Sequence, residues 1–210
     1  MHRRIAVVAL ALLLTGAGQV PAWAHADLTD STPADGSVVP EAPRALALRF
    51  SERVEPTTMA LLSRVATVPT AVRSSGAKVR VQPQRGLPTG MYALTWVVDS
   101  ADGHEVNGSV AFAVGSAPSA RGSQMLSMTP SVRTVLSTQR AGSADIRFPG
   151  RAVTGNVEWT HSRLKGPLSW PVADSSARGI LPFSGEWKLR ATLIDNAGAV
   201  VAVTGSTVLR

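Results

Sequence analysis

Apolar and polar residues alternate in short segments along this chain, and no long segment after the first 25 residues has helical apolar spacing. The clearest example is RALALRF at 44–50, where Leu46, Leu48 and Phe50 alternate with smaller or polar residues. Alternation with a period of two places successive side chains on opposite faces of an extended chain. The segment is therefore predicted to be a β-strand with one buried face.

Similar segments recur along the chain, separated by turn sequences rich in Gly, Pro, Asp and Asn. STPADGS at 31–37 and DNAG at 195–198 are two such turns, and DNAG is predicted to close a hairpin. Short strands between frequent turns predict an all-β sandwich or barrel. The predicted strands are 44–50, 59–65, 78–83, 92–98, 109–114, 144–148, 155–161, 186–195 and 199–209.

The chain divides into two blocks of strands. Residues 115–124, GSAPSARGSQ, carry little that can pack into a core, and this composition is typical of a linker. We predict a β domain at 25–116, a flexible linker at 117–130 and a second, small β-sandwich-like domain at 131–210. Within the second block, one buried face is predicted to carry Trp187, Leu189, Ala191 and Leu193.

The first 24 residues have the layout of a secretory signal peptide. His-Arg-Arg at 2–4 precedes an apolar run at 5–18, and PAWA at 21–24 places small residues before a cleavage point after Ala24. The apolar run is shorter than the ~20 residues of a membrane-spanning helix. We expect an exported protein of the periplasm or the outer face of the cell envelope. Its mature chain would begin at His25 and carry no transmembrane segment.

Composition removes several function classes. The chain has no cysteine, which excludes disulfides, zinc thiolate sites, cysteine catalysis and blue copper electron transfer. Lys and Arg number 21 against 14 Asp and Glu, a net charge of +7. The basic residues are scattered singly and form no basic run with aromatic neighbours, so a nucleic-acid partner is not predicted.

Three residues are candidates for a metal site. After cleavage, His25 would carry a free α-amine beside its imidazole, and two such nitrogens favour Cu(II) ahead of nickel or zinc. His104 follows Asp102 in ADGH, and this spacing places an imidazole and a carboxylate on the same side of an extended chain. Three nitrogens and one oxygen would suit a tetragonal copper site. The alternative is a solvated histidine beside an ordinary Asp-Gly hairpin turn.

The first block contains, in order, His25 at the predicted mature N-terminus, STPADGS (31–37), LRFSE (48–52), LPTGMYALTWVVDSADGH (87–104) and GSVAFAV (108–114). With these segments it resembles the CopC family of exported copper-binding proteins of bacterial copper resistance and uptake. The resemblance implies a Greek-key, immunoglobulin-like β-barrel or sandwich and a Cu(II) site with His25, Asp102 and His104 as ligands. It also implies that Glu52 is a weak ligand or lies just outside the ligands; the alternative is an exposed carboxylate at a strand end.

One departure from the family bears on the oxidation state of copper. Some CopC proteins also bind Cu(I) through a methionine-rich loop, whereas the matching residues 63–78 contain no methionine. Met59 and Met91 stand alone and are expected to fill gaps in the core. Because Cu(I) selects soft thioether ligands, we expect Cu(II) to be the ion that this protein binds.

The second block gives weaker indications. Residues 181–195 resemble the soluble C-terminal part of CopC–CopD fusions, which implies a CopD-type membrane copper transporter as partner. His161 has no second ligand nearby in sequence and is excluded from the predicted site. Met125 and Met128 are interpreted as apolar decoration rather than a Cu(I) contact.

The sequence therefore predicts a Cu(II) carrier or buffer that is not an enzyme and has no catalytic residues. The alternative is a copper enzyme, because an N-terminal histidine with a second histidine also resembles the copper brace of polysaccharide monooxygenases. Those enzymes present an aromatic substrate surface, whereas several of the five Trp here fall in predicted core strands. A metal-free, immunoglobulin-like surface module is the third reading, if the leader is cut elsewhere.

Overall fold

A computed structural model describes residues 26–119 and 122–210, and these residues form β-strands and no helix. None of them forms a helix long and apolar enough to cross a membrane. The strands of the first domain are β1 (Leu28–Thr32), β2 (Val38–Val39), β3 (Leu46–Phe50), β4 (Val54–Ser63), β5 (Thr67–Val68), β6 (Thr70–Ser75), β7 (Lys78–Pro83), β8 (Gly90–Ser100) and β9 (Glu105–Val114).

The first domain is a sandwich of two sheets. The sheet β1-β3-β7-β6 faces the strands β9, β8, β4 and β5, and the chain crosses between the sheets so that β3 pairs with β7 and β4 with β8. Alternate residues of both sheets fill the space between them: Leu46, Leu48 and Phe50 are buried, and Trp96 meets Phe50 edge-on at 6.1 Å. No pairing among the described residues joins the two sheets, so the open sandwich is confirmed and a closed barrel is not formed.

The second domain is a further sandwich with its own core. The sheet β10-β12-β13-β16 packs against β11-β18-β17-β14-β15, and the largest buried side chains include three tryptophans, Trp159, Trp170 and Trp187. The strands are β10 (Gln124–Leu126), β11 (Met128–Thr129), β12 (Thr134–Leu136), β13 (Gly142–Arg147), β14 (Val153–Thr160), β15 (Leu168–Val172), β16 (Ser176–Leu181), β17 (Gly185–Asp195) and β18 (Val200–Leu209).

Strands β17 and β18 follow the sequence prediction closely. The four side chains predicted on one face of β17 are at most 2% exposed. The two strands form an antiparallel hairpin across the predicted 195–198 turn. Asp195 Oδ1 accepts hydrogen bonds of 2.9 Å from the N–H groups of Ala197 and Ala199, and Gly198 has a φ of 79°. Glycine adopts this left-handed conformation without steric cost, which explains its place in the turn.

The range predicted as a linker contains ordered strands. β10 pairs with β12 and β11 pairs with β18, so part of 117–130 belongs to the second sandwich. Leu126 and Met128 are buried in its core, whereas Met125 is 61% exposed. β10 and β11 are only three and two residues long, too short to show a clear alternation in the sequence, and β11 pairs with a strand far along the chain.

The two sandwiches share one continuous ten-stranded sheet. β9 and β15 pair in parallel at Ser109 and Leu168. The Ser109 N–H donates to Pro167 O at 2.9 Å, and its hydroxyl donates to Gly166 O at 2.7 Å. A side chain at 166 would have its Cβ 2.2 Å from the Gly108 backbone nitrogen, so glycine is needed for this close approach.

The outer face of the first domain's second sheet is buried beneath the second domain. Met91, Ala93, Ala111 and Ala113 on β8 and β9 belong to the same apolar cluster as the second domain's tryptophans. Arg163 adds polar contacts at this boundary, because its guanidinium donates hydrogen bonds of 2.8 Å to Ser63 O and Arg64 O. The two domains are therefore packed against each other over an apolar surface.

Candidate metal centre

The turn between β8 and β9 holds the predicted Asp-x-His pair. The Ser100 N–H donates to His104 O at 2.9 Å, and the Gly103 N–H donates to Ser100 O at 3.0 Å. Gly103 has a φ of 83°, the left-handed region that favours glycine. The hairpin turn that the sequence offered as an alternative is thus present, and it brings Asp102 and His104 together rather than apart.

Three donor groups of described residues lie around the Asp102 carboxylate. Its Oδ1 accepts from the Ser100 hydroxyl and from the His104 N–H at 3.1 Å, while its Oδ2 lies 3.0 Å from His104 Nδ1. The Ser100 hydroxyl, followed by the His104 N–H, holds the pKa of the Asp102 carboxyl well below its usual range. Asp102 is therefore anionic at neutral pH and can act as a hard oxygen ligand.

The geometry of the pair limits how His104 can bind a metal. A proton on Nδ1 would be shared with Asp102 Oδ2, which directs the Nε2 lone pair towards a metal. A metal ion that displaced this proton could instead bind Nδ1 and the carboxylate. The side chain of His104 is 66% exposed and that of Asp102 is 29% exposed, so an ion can reach both from solvent.

The described chain begins at the same end of the sandwich. Ala26 is fully buried, the Asp27 N–H donates to Ser51 Oγ at 3.0 Å, and the Ser51 N–H donates to Asp27 O at 2.8 Å. Ser51 precedes β4, and Val54 at the start of β4 pairs with Ser100 at the end of β8. His25 lies outside the described residues, but it directly precedes Ala26 in the sequence.

Glu52 is partly buried, not the exposed carboxylate of the alternative reading. Its Oε1 atom has no contact with solvent and no hydrogen-bond partner among the described residues. Leaving a buried carboxylate oxygen unpaired is unfavourable. No three His, Cys, Asp or Glu side chains within residues 26–119 and 122–210 come together as a metal site. The described part of the centre is therefore the Asp102–His104 pair.

Known proteins similar in sequence to this chain match its first domain. A sequence profile of the CopC domain matches residues 28–115. The protein YobA of Escherichia coli K12 is 35% identical over 113 residues, which cover 50% of this chain and 91% of YobA. Copper resistance protein C of Xanthomonas campestris pv. juglandis is 34% identical over 105 residues, which cover 44% of this chain and 82% of that protein. The chain belongs to the CopC family.

Solved structures resemble the same half of the chain. The crystal structure of CopC from Methylosinus trichosporium OB3b is 27% identical, covering 43% of this chain and 93% of its own, with a TM-score of 0.40. The CopC profile ends at residue 115, before the first strand of the second sandwich. The second domain is thus an addition to the CopC domain proper.

His161 lies in the second domain, where its ring is held by other groups. Nδ1 accepts the Arg163 N–H at 3.2 Å, Nε2 lies 3.2 Å from Ser184 O, and the Trp187 ring is 4.7 Å away between centroids. Burial lowers the pKa of His161, so the ring is neutral at neutral pH. With Nε2–H donating and Nδ1 accepting, neither nitrogen has a lone pair left for a metal.

Sequence reasoning missed one residue of the CopC domain's candidate centre. Ser100 is 6% exposed and its hydroxyl holds Asp102 Oδ1. The signal was the spacing Ser-x-Asp-x-His at 100–104, which places three polar side chains at alternate positions. The buried Ser100 hydroxyl therefore fixes the orientation of the Asp102 carboxylate.

Proposed function

We propose that this CopC-family protein is an exported copper-binding protein that carries or buffers Cu(II). The observation that carries the proposal is the ionised Asp102 beside His104 at the end of the sandwich where the described chain begins. Family membership supports copper as the cargo, because one relative is a copper resistance protein. The export step rests on the signal-peptide pattern of residues 1–24.

The proposed ligands are the α-amine and imidazole of His25, the imidazole of His104 and the carboxylate of Asp102. Three nitrogens and one oxygen form a tetragonal set, which Cu(II) favours. The carboxylate charge favours Cu(II) over Cu(I), and the absence of methionine in 63–78 removes the soft ligands that Cu(I) prefers. Glu52 would be a weak ligand or lie just outside the ligands, where its unpaired Oε1 could face the ion or a group bound to it.

Capture and release of copper would proceed by exchange of ligands. Protons compete with Cu(II) for the amine and the two imidazoles, so affinity should fall as the pH falls. Asp102 stays ionised through this range, because Ser100 and the His104 N–H stabilise its charge. A protein that only exchanges the ion needs no catalytic residue. The proposed partner in this exchange is a CopD-type membrane copper transporter.

The first prediction tests the role of the mature N-terminus. One alanine added ahead of His25 should weaken Cu(II) binding by about tenfold or more, because the amine and imidazole would no longer belong to one residue and form one chelate. Cu(II) affinity is measured by competition against a chelator of known strength. A chain with one alanine added after Arg210 is the matched control. Equal affinity of all three chains would show that the amine is not a ligand.

A further inference from the structure

The outer face of the first sheet is strongly basic. Alternate residues of β3 and β7 point away from the core, because Leu48, Val79 and Val81 between them are buried. The alternate residues of β6 that pair in register with these outward residues of β7 lie on the same side. Four exposed cations occupy this face, which we call the basic face: Arg49, Arg73, Lys78 and Arg80.

Cations lie directly opposite each other across neighbouring strands. Arg49 on β3 pairs in register with Lys78 on β7, and Arg73 on β6 pairs with Arg80 on β7. Like charges in directly opposed positions destabilise a sheet. None of the four forms an ion pair within the part of the chain that the structure describes. Asp30, in register with Arg49, is the one described acidic residue at an outward position of this sheet.

The basic face is also the broad outer face that the second domain leaves uncovered. The outer side of β8 and β9 is buried against the second domain through Ala93, Ala111 and Ala113. The sheet β1-β3-β7-β6 lies on the opposite side of the sandwich and has no strand of the second domain beside it. A partner approaching the broad surface of the first domain therefore meets the basic face.

This face borders the end of the sandwich that holds the candidate metal centre. Phe50, next to Arg49, donates its N–H to Ala77 O at 2.8 Å, and Ala77 precedes Lys78. Ser51 follows directly and binds Asp27 near the start of the described chain. A surface that contacts the basic face would thus lie beside this end of the molecule.

The chemistry of the basic face indicates the kind of partner. Specific protein interfaces have an apolar centre enriched in aromatic side chains and depleted in charge. Here the cations occupy the centre, no aromatic residue stands at an outward position, and the other outward residues of β3, β6 and β7 are Ala47, Ala71, Ser75 and Gln82. A sheet face with cations that form no ion pairs among the described residues and with no apolar anchor is complementary in charge to a surface of anionic lipid headgroups.

We propose that the basic face docks the protein on a membrane surface rich in anionic phospholipid. Each Lys or Arg near such a surface strengthens binding about fivefold, so four cations suffice for reversible attachment. The attraction is electrostatic and acts within about a Debye length, so binding should weaken as salt is added. The proposal does not depend on copper binding.

The test is sedimentation with lipid vesicles, using metal-free chain 25–210, which contains every described strand. Vesicles with about a third phosphatidylglycerol are compared with vesicles of neutral phosphatidylcholine alone. The wild-type protein should bind the anionic vesicles in about 0.1 M salt and dissociate in about 1 M salt, where the Debye length falls from about 10 to about 3 Å. The double variant Arg73→Gln/Arg80→Gln should bind about tenfold or more weakly.

The matched control is Lys188→Gln/Arg190→Gln on β17 of the second domain. It removes two exposed cations from outward strand positions and changes the net charge equally, but Arg190 lies opposite Glu158 rather than another cation. Its binding should stay within about twofold of wild type. Equal losses in the two double variants, or no binding of the wild type to anionic vesicles, would refute the proposal.

Folding of the variants is checked by thermal melting. Removing Arg73 and Arg80 relieves a like-charge contact, so the melting temperature should not fall. Binding of the wild type to a soluble acidic polypeptide but not to anionic vesicles would also refute the membrane assignment and would identify a protein partner instead.

Discussion

At the scale of single residues, Asp102 shows how a short turn can orient a candidate ligand. The carboxylate accepts hydrogen bonds from Ser100 and from the His104 backbone, and both favour its charged form. His104 is placed by the same turn with Nδ1 at 3.0 Å from Oδ2. Among the described residues, the hydrogen bonds that orient the pair therefore come from its own segment of five residues.

The second prediction concerns the described half of the centre. His104→Ala and Asp102→Ala should each lower Cu(II) affinity by about tenfold or more, because each removes a proposed ligand or its orienting partner. His161→Ala is the control, since both nitrogens of His161 are hydrogen-bonded within the second domain. The affinity of each variant is measured by chelator competition. A loss in the His161 variant equal to that in the His104 variant would place the site elsewhere.

At the scale of elements, the turn between β1 and β2 couples the two sheets of the first domain. Asp35 Oδ1 accepts the Ala111 N–H at 2.7 Å, and the Gly36 N–H donates to Ala111 O at 2.7 Å. Burial raises the pKa of Asp35 to about 6, although hydrogen bonds from Ala111 and Gly36 act in the opposite direction. The sequence marked 31–37 only as a turn, and its contact with β9 depends on the tertiary structure.

The third prediction follows from the raised pKa of Asp35. Between about pH 4 and pH 6 the folded protein holds a proton that the unfolded chain has released, so the free energy of unfolding should fall as the pH rises. The contribution of Asp35 to this fall is about 3 kcal/mol at most. Asp35→Asn keeps an oxygen acceptor for Ala111 but carries no charge, so it should lack this contribution.

The measurement is the midpoint of urea unfolding of both proteins across this pH range. The difference in stability between Asp35→Asn and wild type should shift in favour of the variant as the pH rises from 4 to 6 and then level off. Asp35→Ala serves as a further control, because it lacks the acceptor and should be less stable than Asp35→Asn throughout. Parallel pH profiles for wild type and Asp35→Asn would contradict the buried-charge explanation.

Strands with regular alternation were predicted from sequence, whereas others were missed for identifiable reasons. β3, with its three buried apolar residues, has a clear period of two. β6 was missed because five of its six residues are exposed and none is fully buried, so no pattern marks it. β15 was also missed, although its residues alternate between buried and exposed. It contains Pro171, a residue uncommon within strands, at an exposed position opposite Asn156.

The candidate metal centre could likewise be predicted from sequence only in its local part. The spacing of Asp102 and His104 within one turn is local, so the sequence indicated their proximity. The buried Oε1 of Glu52 and the hydrogen bonds between Asp27 and Ser51 depend on contacts between segments far apart in sequence. The assignment of His25 as a ligand stays a prediction, because that residue lies outside the described part of the chain.

At the scale of the whole molecule, the second domain completes the burial of the first. Met91, Ala93, Ala111 and Ala113 belong to a cluster that also contains the second domain's core. The three alanines among them have small side chains, which allow the two sheets to approach closely. A CopC domain without this neighbour would present the same face to water.

The fourth prediction concerns this shared surface. A chain ending at residue 119 should melt at a lower temperature than the full chain, because it exposes apolar area that is otherwise buried. The full chain should unfold in a single transition, with fluorescence of the buried tryptophans and far-ultraviolet circular dichroism changing together. Two separate transitions, or equal melting temperatures for the CopC domain in both chains, would show that the domains fold independently.

The fifth prediction distinguishes a carrier from a copper enzyme. Every Trp, Tyr and Phe side chain among the described residues is at most 3% exposed, so the described surface has no aromatic platform for a polysaccharide. A carrier also gains by filling the equatorial positions of the ion. The copper-loaded protein should therefore react slowly with ascorbate and oxygen and leave polysaccharides intact. Rapid hydrogen peroxide formation that is lost in His25→Ala would favour the enzyme.

The arrangement around β9 also bears on self-association. In the first domain's own sheet β9 is the outermost long strand, and an open strand edge can template pairing with another chain. Here β2 pairs with β9 at Ala113 and Val114, and Asp35 of the β1–β2 turn accepts the backbone N–H of Ala111. Leu168 of the second domain pairs with Ser109. The chain thus supplies its own covering strands along this edge. Removal of the second domain should expose part of it and make the remaining protein prone to aggregate through strand addition.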